Sequence, residues 1–194
     1  MSNTSATGGY LESTAINGQA GVEDALQAAV AGITGLPGNL VRPRWQPEPP
    51  RQPKAEVTWC AIGALEYAAT SHVRHDPEGD GHDVIVTHAD VSAMASFYGP
   101  AADGAAFRLR DGLLVAQNRA ALRQQGLAVV EVGTVSRRPE PSGTRWLERL
   151  DVPLVFRWGT ERRVPVLNIL KSSGTMEADA GTEPVVSFGC GGQE

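Results

Sequence analysis

The chain has 194 residues, 41% of them apolar, which is enough to bury one domain-sized core with looser ends. Its 17 basic and 22 acidic residues give a formal charge of −5, so the chain as a whole does not have the basic balance of a nucleic-acid binder. No apolar run reaches membrane-spanning length and no charged segment precedes an apolar one near Met1, so the protein is expected to be made and used in the cytosol.

Residues 1–20 are mostly Ser, Thr, Asn, Gly and Ala, too polar to offset the entropy of ordering, and read as a flexible arm. From Val22 to Ile33 the apolar residues Val22, Leu26, Ala29, Val30 and Ile33 recur at helical spacing, and Gly35, Pro37 and Gly38 end the helix. The stretch 42–54 carries Pro43, Pro47, Pro49, Pro50 and Pro53, so it is extended, either as a linker or as an arm that lies across a neighbour. A flexible linker has no need of Trp45, and a stiff extended segment with an aromatic suits an arm, so the linker and arm readings stand side by side.

Between Val57 and Thr70 the odd positions Trp59, Ala61, Leu65, Tyr67 and Ala69 follow the period of a strand. From Val84 to Tyr98 a second strand sets Ile85, Ala89, Val91, Ala93, Ala95 and Phe97 on one face, with His88, Asp90, Ser92, Ser96 and Tyr98 on the other. The Asp-, Gly- and Pro-rich residues from His72 to His82 predict a long hairpin loop between the two.

Residues 101–125 read as one long helix with Phe107, Leu109, Leu113, Leu114 and Leu122 on a broad face, stopped by Gly126. A strand over 127–135, a turn over 139–143 and one helical turn over 144–150 follow. Two strands, 154–158 and 164–170, then flank a turn at 159–163, and the tail 172–194 reads as flexible, with a short strand at 185–188. The domain over 21–171 is therefore α+β, an antiparallel or mixed β-sheet with helices packed on one face.

The chemistry-bearing groups are sparse. His72, His75, His82 and His88, with Asp76, Glu78, Asp80 and Asp83, could ligate a metal, but their spacing matches no standard metal signature, and a solvated hairpin suits them better. The acids from Asp76 to Asp83 lack the closing glutamate of a calcium loop. Cys60 sits among apolar residues as a buried thiol, Cys190 sits in a glycine-rich tail, and both are read as free. No residue is assigned a catalytic, cofactor or metal role. Two alternatives remain beside a structural protein: a metal-dependent enzyme on the His72–His88 hairpin, and a DNA-binding accessory factor using Arg42 and Arg44, Arg137 and Arg138, or Arg162 and Arg163. Aromatic and polar residues in stiff or boundary positions form a candidate assembly interface: Arg42, Arg44, Trp45, Gln46, Tyr98, Arg110, Asp111, Arg145 and Trp146.

Several words of the sequence are similar to those of the phage neck terminator proteins of tailed bacteriophages, relatives of tail terminators. They are Leu36-Pro-Gly, Val41-Arg-Pro-Arg-Trp-Gln-Pro with Pro49-Pro50, and Trp59-Cys-Ala-Ile-Gly. Ser96-Phe-Tyr-Gly-Pro, Leu109-Arg-Asp-Gly-Leu with Gln117-Asn-Arg, and Arg145-Trp-Leu complete the ordered set, over roughly residues 33–150. The resemblance implies a ring-forming structural subunit, a hexamer by analogy with tail terminators, between head-completion (connector) proteins and the tail. It implies a place in the virion after assembly in the host bacterial cytoplasm, with genomic DNA passing through the lumen unbound. A ring needs a heterologous interface, for which the sheet edges and the proline-rich arm are the available means. No membrane contact is implied.

Overall fold

The structure is a computed structural model describing residues 3–15, 21–48, 50–77, 81–167, 171–176 and 186–191. The side chains of His72, Asp76 and Cys190, and all of Glu78 and Asp80, lie outside the described residues. The chain divides into a larger unit, Ala15–Arg74 with Val86–Glu161, and a smaller one, Met1–Thr14 with His75–Ile85 and Arg162–Glu194.

The elements in chain order are β1 (Thr14–Ala15), α1 (Val22–Thr34), a 3-10 turn (Gly38–Leu40), β2 (Val41–Pro43), β3 (Trp59–Pro77) and β4 (Asp83–Tyr98). Then come α2 (Ala102–Gly112), α3 (Ala116–Gln124), β5 (Leu127–Val132), β6 (Ser136–Arg137), β7 (Glu140–Ser142) and β8 (Arg145–Leu147). Last are β9 (Arg149–Val164), β10 (Lys171–Met176) and β11 (Val186–Gly191). A seven-stranded sheet has the order β1-β9-β4-β3-β2, with β5 and β6 also paired to β9, and β2 runs parallel to β3. The fold is α+β with a mixed sheet, as the alternation of periods implies.

In the larger unit one sheet face and the helices share a core. Cys60 and Ile62 of β3, Val91, Ala93, Ala95 and Phe97 of β4, and Leu150, Val152, Leu154 and Phe156 of β9 pack in one cluster with residues of all three helices. Ala25, Leu26 and Val30 come from α1, Ala105 and Leu109 from α2, and Leu122 from α3. Ala-rich helix faces let the helices close onto the strands, so burial of these apolar groups sets which face of each strand is inside. Helix α1 ends as expected, with Gly35 in the left-handed region at φ 73°.

The strand expected over 164–170 is not strand at 165–167, the turn expected over 139–143 holds β7, and four further local expectations change. The helix over 101–125 is two helices with Leu113–Val115 between them, and α2 ends close against α1, where a Cβ on Gly112 would overlap the Ile33 side chain. Asn118 Nδ2 donates to Gly112 O (2.9 Å) and Arg119 Nε to Leu113 O (3.0 Å), so side chains of α3 satisfy the last carbonyls of α2. The helical turn over 144–150 is instead a hairpin, β7 with β8, turned at Gly143 (φ 61°). The turn over 159–163 is the interior of β9, and Gly159 marks the close approach of the His88 ring, 3.2 Å from where a Cβ would sit. Finally, the loop from His72 is shorter than its composition suggested, since β3 continues to Pro77 and β4 starts at Asp83. Ladder pairing satisfies backbone groups whatever the side chains, so a polar run can still be strand.

The smaller unit carries part of the amino-terminal arm and the tail. Ser5 N–H donates to Pro165 O (3.2 Å), and Leu167 N–H to Ser5 Oγ (2.7 Å). Strands β10 and β11 pair antiparallel from Lys171↔Gly191 to Met176↔Val186.

Candidate functional site

The second face of the sheet in the larger unit gathers the odd positions of β3, the even positions of β4 and the odd positions of β9. There Trp59 and Tyr98 stack with ring centroids 4.4 Å apart and planes 10° from parallel. The Arg42 guanidinium lies 5.8 Å from the Trp59 ring and that of Arg149 lies 5.6 Å from the Tyr98 ring, so the two cations bracket the stacked pair. Burial holds the Tyr98 phenol above its ordinary range, opposed by the positive charge of Arg149.

Beside the stack lies a buried polar chain. Arg44 Nη2 donates to Ser96 Oγ (2.6 Å), and Ser96 Oγ donates to Asp151 Oδ1 (2.6 Å). Arg149 grips the same carboxylate with two bonds, Nε to Oδ1 (2.9 Å) and Nη2 to Oδ2 (3.1 Å), which raise its own pKa further. Arg149 Nη1 also reaches Glu140 Oε1 at 3.2 Å, and Arg138 Nε stands 3.9 Å from Asp151 Oδ2. The chain just past β2 is thereby pinned to β4 and β9 at one place, with the Asp151 side chain only 6% exposed at its centre.

The proline-rich segment leaves β2 along β3 as a strap. Arg42 Nη1 donates to Arg51 O (2.9 Å), which folds the strap back on itself, and Gln46 Nε2 donates to Pro43 O (2.9 Å). Arg44 N–H donates to Ile62 O (2.7 Å), and its Cβ passes 2.8 Å from where a Cβ on Gly63 would stand. The Trp45 indole N–H donates to Ala64 O (3.2 Å), yet the residue stays 67% exposed. A groove of about 360 Å³ lies beneath, lined by Arg42, Arg44, Trp45, Pro50 and Trp59.

The nine residues expected to form an interface do not form one patch. Arg42, Arg44 and Tyr98 meet in the stack and the polar chain, and Trp45 and Gln46 lie on the strap. Arg145 and Trp146 lie on β8, where Trp146 is 73% exposed. Arg110 and Asp111 pair with each other on α2 (2.8 Å), with Arg110 over the Phe107 ring. Trp59, Ser96, Arg149 and Asp151 are central and were not expected. One signal was present: an aspartate between Leu150 and Val152 in an apolar strand requires a buried partner.

Among the described residues, no three His, Cys, Asp or Glu side chains group as a metal site. His75 Nδ1 meets Asp83 Oδ2 at 2.7 Å, while His82 and His88 are exposed. Arg137 meets Glu148 (3.1 Å), so this arginine cluster is engaged with carboxylates of the chain itself. Burial pushes the Cys60 thiol far up, only partly opposed by Arg44, which keeps it protonated. No described helix is long and apolar enough to cross a membrane.

The fold and this site define an α+β domain whose polar groups tie strands and strap together and leave aromatic side chains presented outward. The chain belongs to the phage neck terminator protein family, whose family model matches residues 20–179. A comparison with curated proteins gave no match. Membership makes this a structural protein of the bacteriophage neck, associated in the virion with other head and tail proteins, and points to a non-enzymatic role.

Proposed function

We propose that the protein is a ring-forming neck terminator that joins the head-completion proteins to the tail, working as a homo-oligomer, with six subunits as the expected number. The observation that carries this reading is Trp45. A proline-stiffened strap and an indole hydrogen bond to Ala64 O hold the ring in place while 67% of the residue faces outward. A large aromatic group fixed before contact loses little entropy on binding, the property of an interface anchor. Trp146 on β8 offers a second exposed aromatic surface, and Arg42, Arg44, Gln46, Tyr98 and Arg145 support the two segments, with Arg110 and Asp111 a separate contact on α2. Genomic DNA passes through the lumen without specific binding, which the net charge of −5 favours. Assembly takes place in the host cytoplasm.

Trp45→Ala tests the reading. Sedimentation of the purified protein should show a concentration-dependent ring for wild type and loss of assembly for the variant, with the melting temperature of the isolated subunit nearly unchanged. Equal loss of thermal stability would make Trp45 a packing residue. Electron microscopy of purified virions showing no such ring at the neck would overturn the reading altogether.

A further inference from the structure

The sheet of the larger unit ends in two open edges, and their geometry is complementary. β2 covers β3 only at Cys60–Ile62, and at the next outward position side chains take over: Ala64 N–H donates to Glu23 Oε1 (3.0 Å) and Ala64 O accepts from Trp45. Backbone direction alternates along a strand, so Glu66 and Ala68 also aim their N–H and C=O away from β4. Among the described residues no strand or side chain meets those groups. Residues 65–69 are exposed, with Leu65 and Tyr67 half-exposed.

The opposite edge is β5. Gly126 O accepts from Gly159 N–H, Gly133 N–H donates to Pro153 O, and β5 pairs with β9 between them, so alternation turns the backbone groups of Val129 and Val132 toward the open edge, while Leu127 is buried. Val130, at the register shift between Val129 and Glu131, is half-exposed. Neither 65–70 nor 127–132 contains a lysine or proline, the residues that usually blunt an open edge, and each carries one charge, Glu66 and Glu131.

Strand directions fit as well. β3 and β4 are consecutive neighbours joined by a short return and so run antiparallel. Asp90–Arg157, Ser96–Asp151 and Thr87–Thr160 pair in opposite order along β4 and β9, making these antiparallel, and β5 is antiparallel to β9. β3 and β5 therefore point in opposite senses. Rotation about a ring axis keeps those senses, so β3 of one copy beside β5 of the next forms an antiparallel pair. The six residues of β5 span ~20 Å, a length that β3 offers beyond Ala64.

We infer that the β3 edge around Glu66–Ala68 of one subunit takes the β5 edge of the next copy of this chain, extending the sheet from subunit to subunit. The inference rests on the ring reading above and names its interface. Two different edges meet, so the contact is heterologous and can close a ring, whereas β3 pairing with β3 would stop at a dimer.

Native mass spectrometry of three variants tests it. Ala68→Pro removes an outward N–H without touching the ladder to β4, Ala68→Lys blunts the same edge through an exposed side chain if proline impairs folding, and Val130→Lys blunts the other. Each variant alone should raise the concentration needed for assembly by about tenfold or more while keeping the melting temperature of the dilute, unassembled subunit. An equal mixture of Ala68→Pro and Val130→Lys retains one intact pair of edges and should form a one-to-one dimer. Wild-type rings with variants that assemble normally, or a mixture that stays monomeric, would overturn the edge pairing alone. A wild-type chain that is monomeric at every concentration would overturn the ring reading and this inference with it.

Discussion

Replacing Asp151 by alanine removes the one carboxylate that holds Ser96 and Arg149 together. Asp151 is 6% and Arg149 21% exposed, so water repairs little of the loss. Breaking a buried ion pair by deleting one partner costs about 3–5 kcal/mol, chiefly through the charge left behind. Arg149 keeps Glu140 at 3.2 Å and Ser96 keeps the Arg44 donor, which puts the expectation at the lower end, about 3 kcal/mol. For a chain of this size that is a fall in Tm of roughly 6–12 °C. Glu140→Ala is the control, because it deletes an exposed partner of the same arginine and should cost under about 1 kcal/mol. Urea melts of the dilute subunit, followed by tryptophan fluorescence, give both values, with the midpoint falling and the slope unchanged. An Asp151→Ala loss no larger than that of Glu140→Ala would mean that the polar chain does not hold the strands together.

Gly99→Ala places a Cβ 2.5 Å from Val57 O at φ +99°, so it should destabilise by about 2 kcal/mol or more in the same melts, while Gly38→Ala, with open space around it, should not. In a Cys190→Ser background, Cys60 should resist a thiol reagent at pH 8 in the native protein and label fully in denaturant, since burial keeps its thiol protonated; native labelling at the denatured rate would contradict this. Hydrogen bonds from Arg157 hold Asp90 below its ordinary value of 3.8. A depressed carboxylate pKa contributes stability above the unfolded value, and that contribution disappears as pH falls through the folded one. NMR titration should therefore find Asp90 low in wild type and back near its ordinary value in Arg157→Gln, with the variant losing this acid-sensitive contribution to stability.

Periodicity and turn residues by themselves determined several of the longer elements. Val22–Thr34 and its Gly35 stop, the strand ending at Tyr98, and the α+β class all follow from local spacing, because burial imposes period 3.6 or 2 on any strand or helix with one wet face. The motif words also fall where the structure turns or closes: Asn118 and Arg119 cap α2, and Ser96 and Tyr98 lie at the pinned site. Tertiary structure alone decided the rest. The odd positions of β3 look like its core side, yet Cys60 and Ile62 enter the main core, because both faces near Trp59 are covered and alternation cannot say which by helices. Gly112 and Gly159 carry the signals of helix interior and turn, but their roles come from Ile33 and His88, residues far away in sequence. Asp151 gains Ser96 on the same terms, since sheet order sets β4 beside β9 and no local pattern encodes that order, whereas Arg149 stands only two residues away on the same strand.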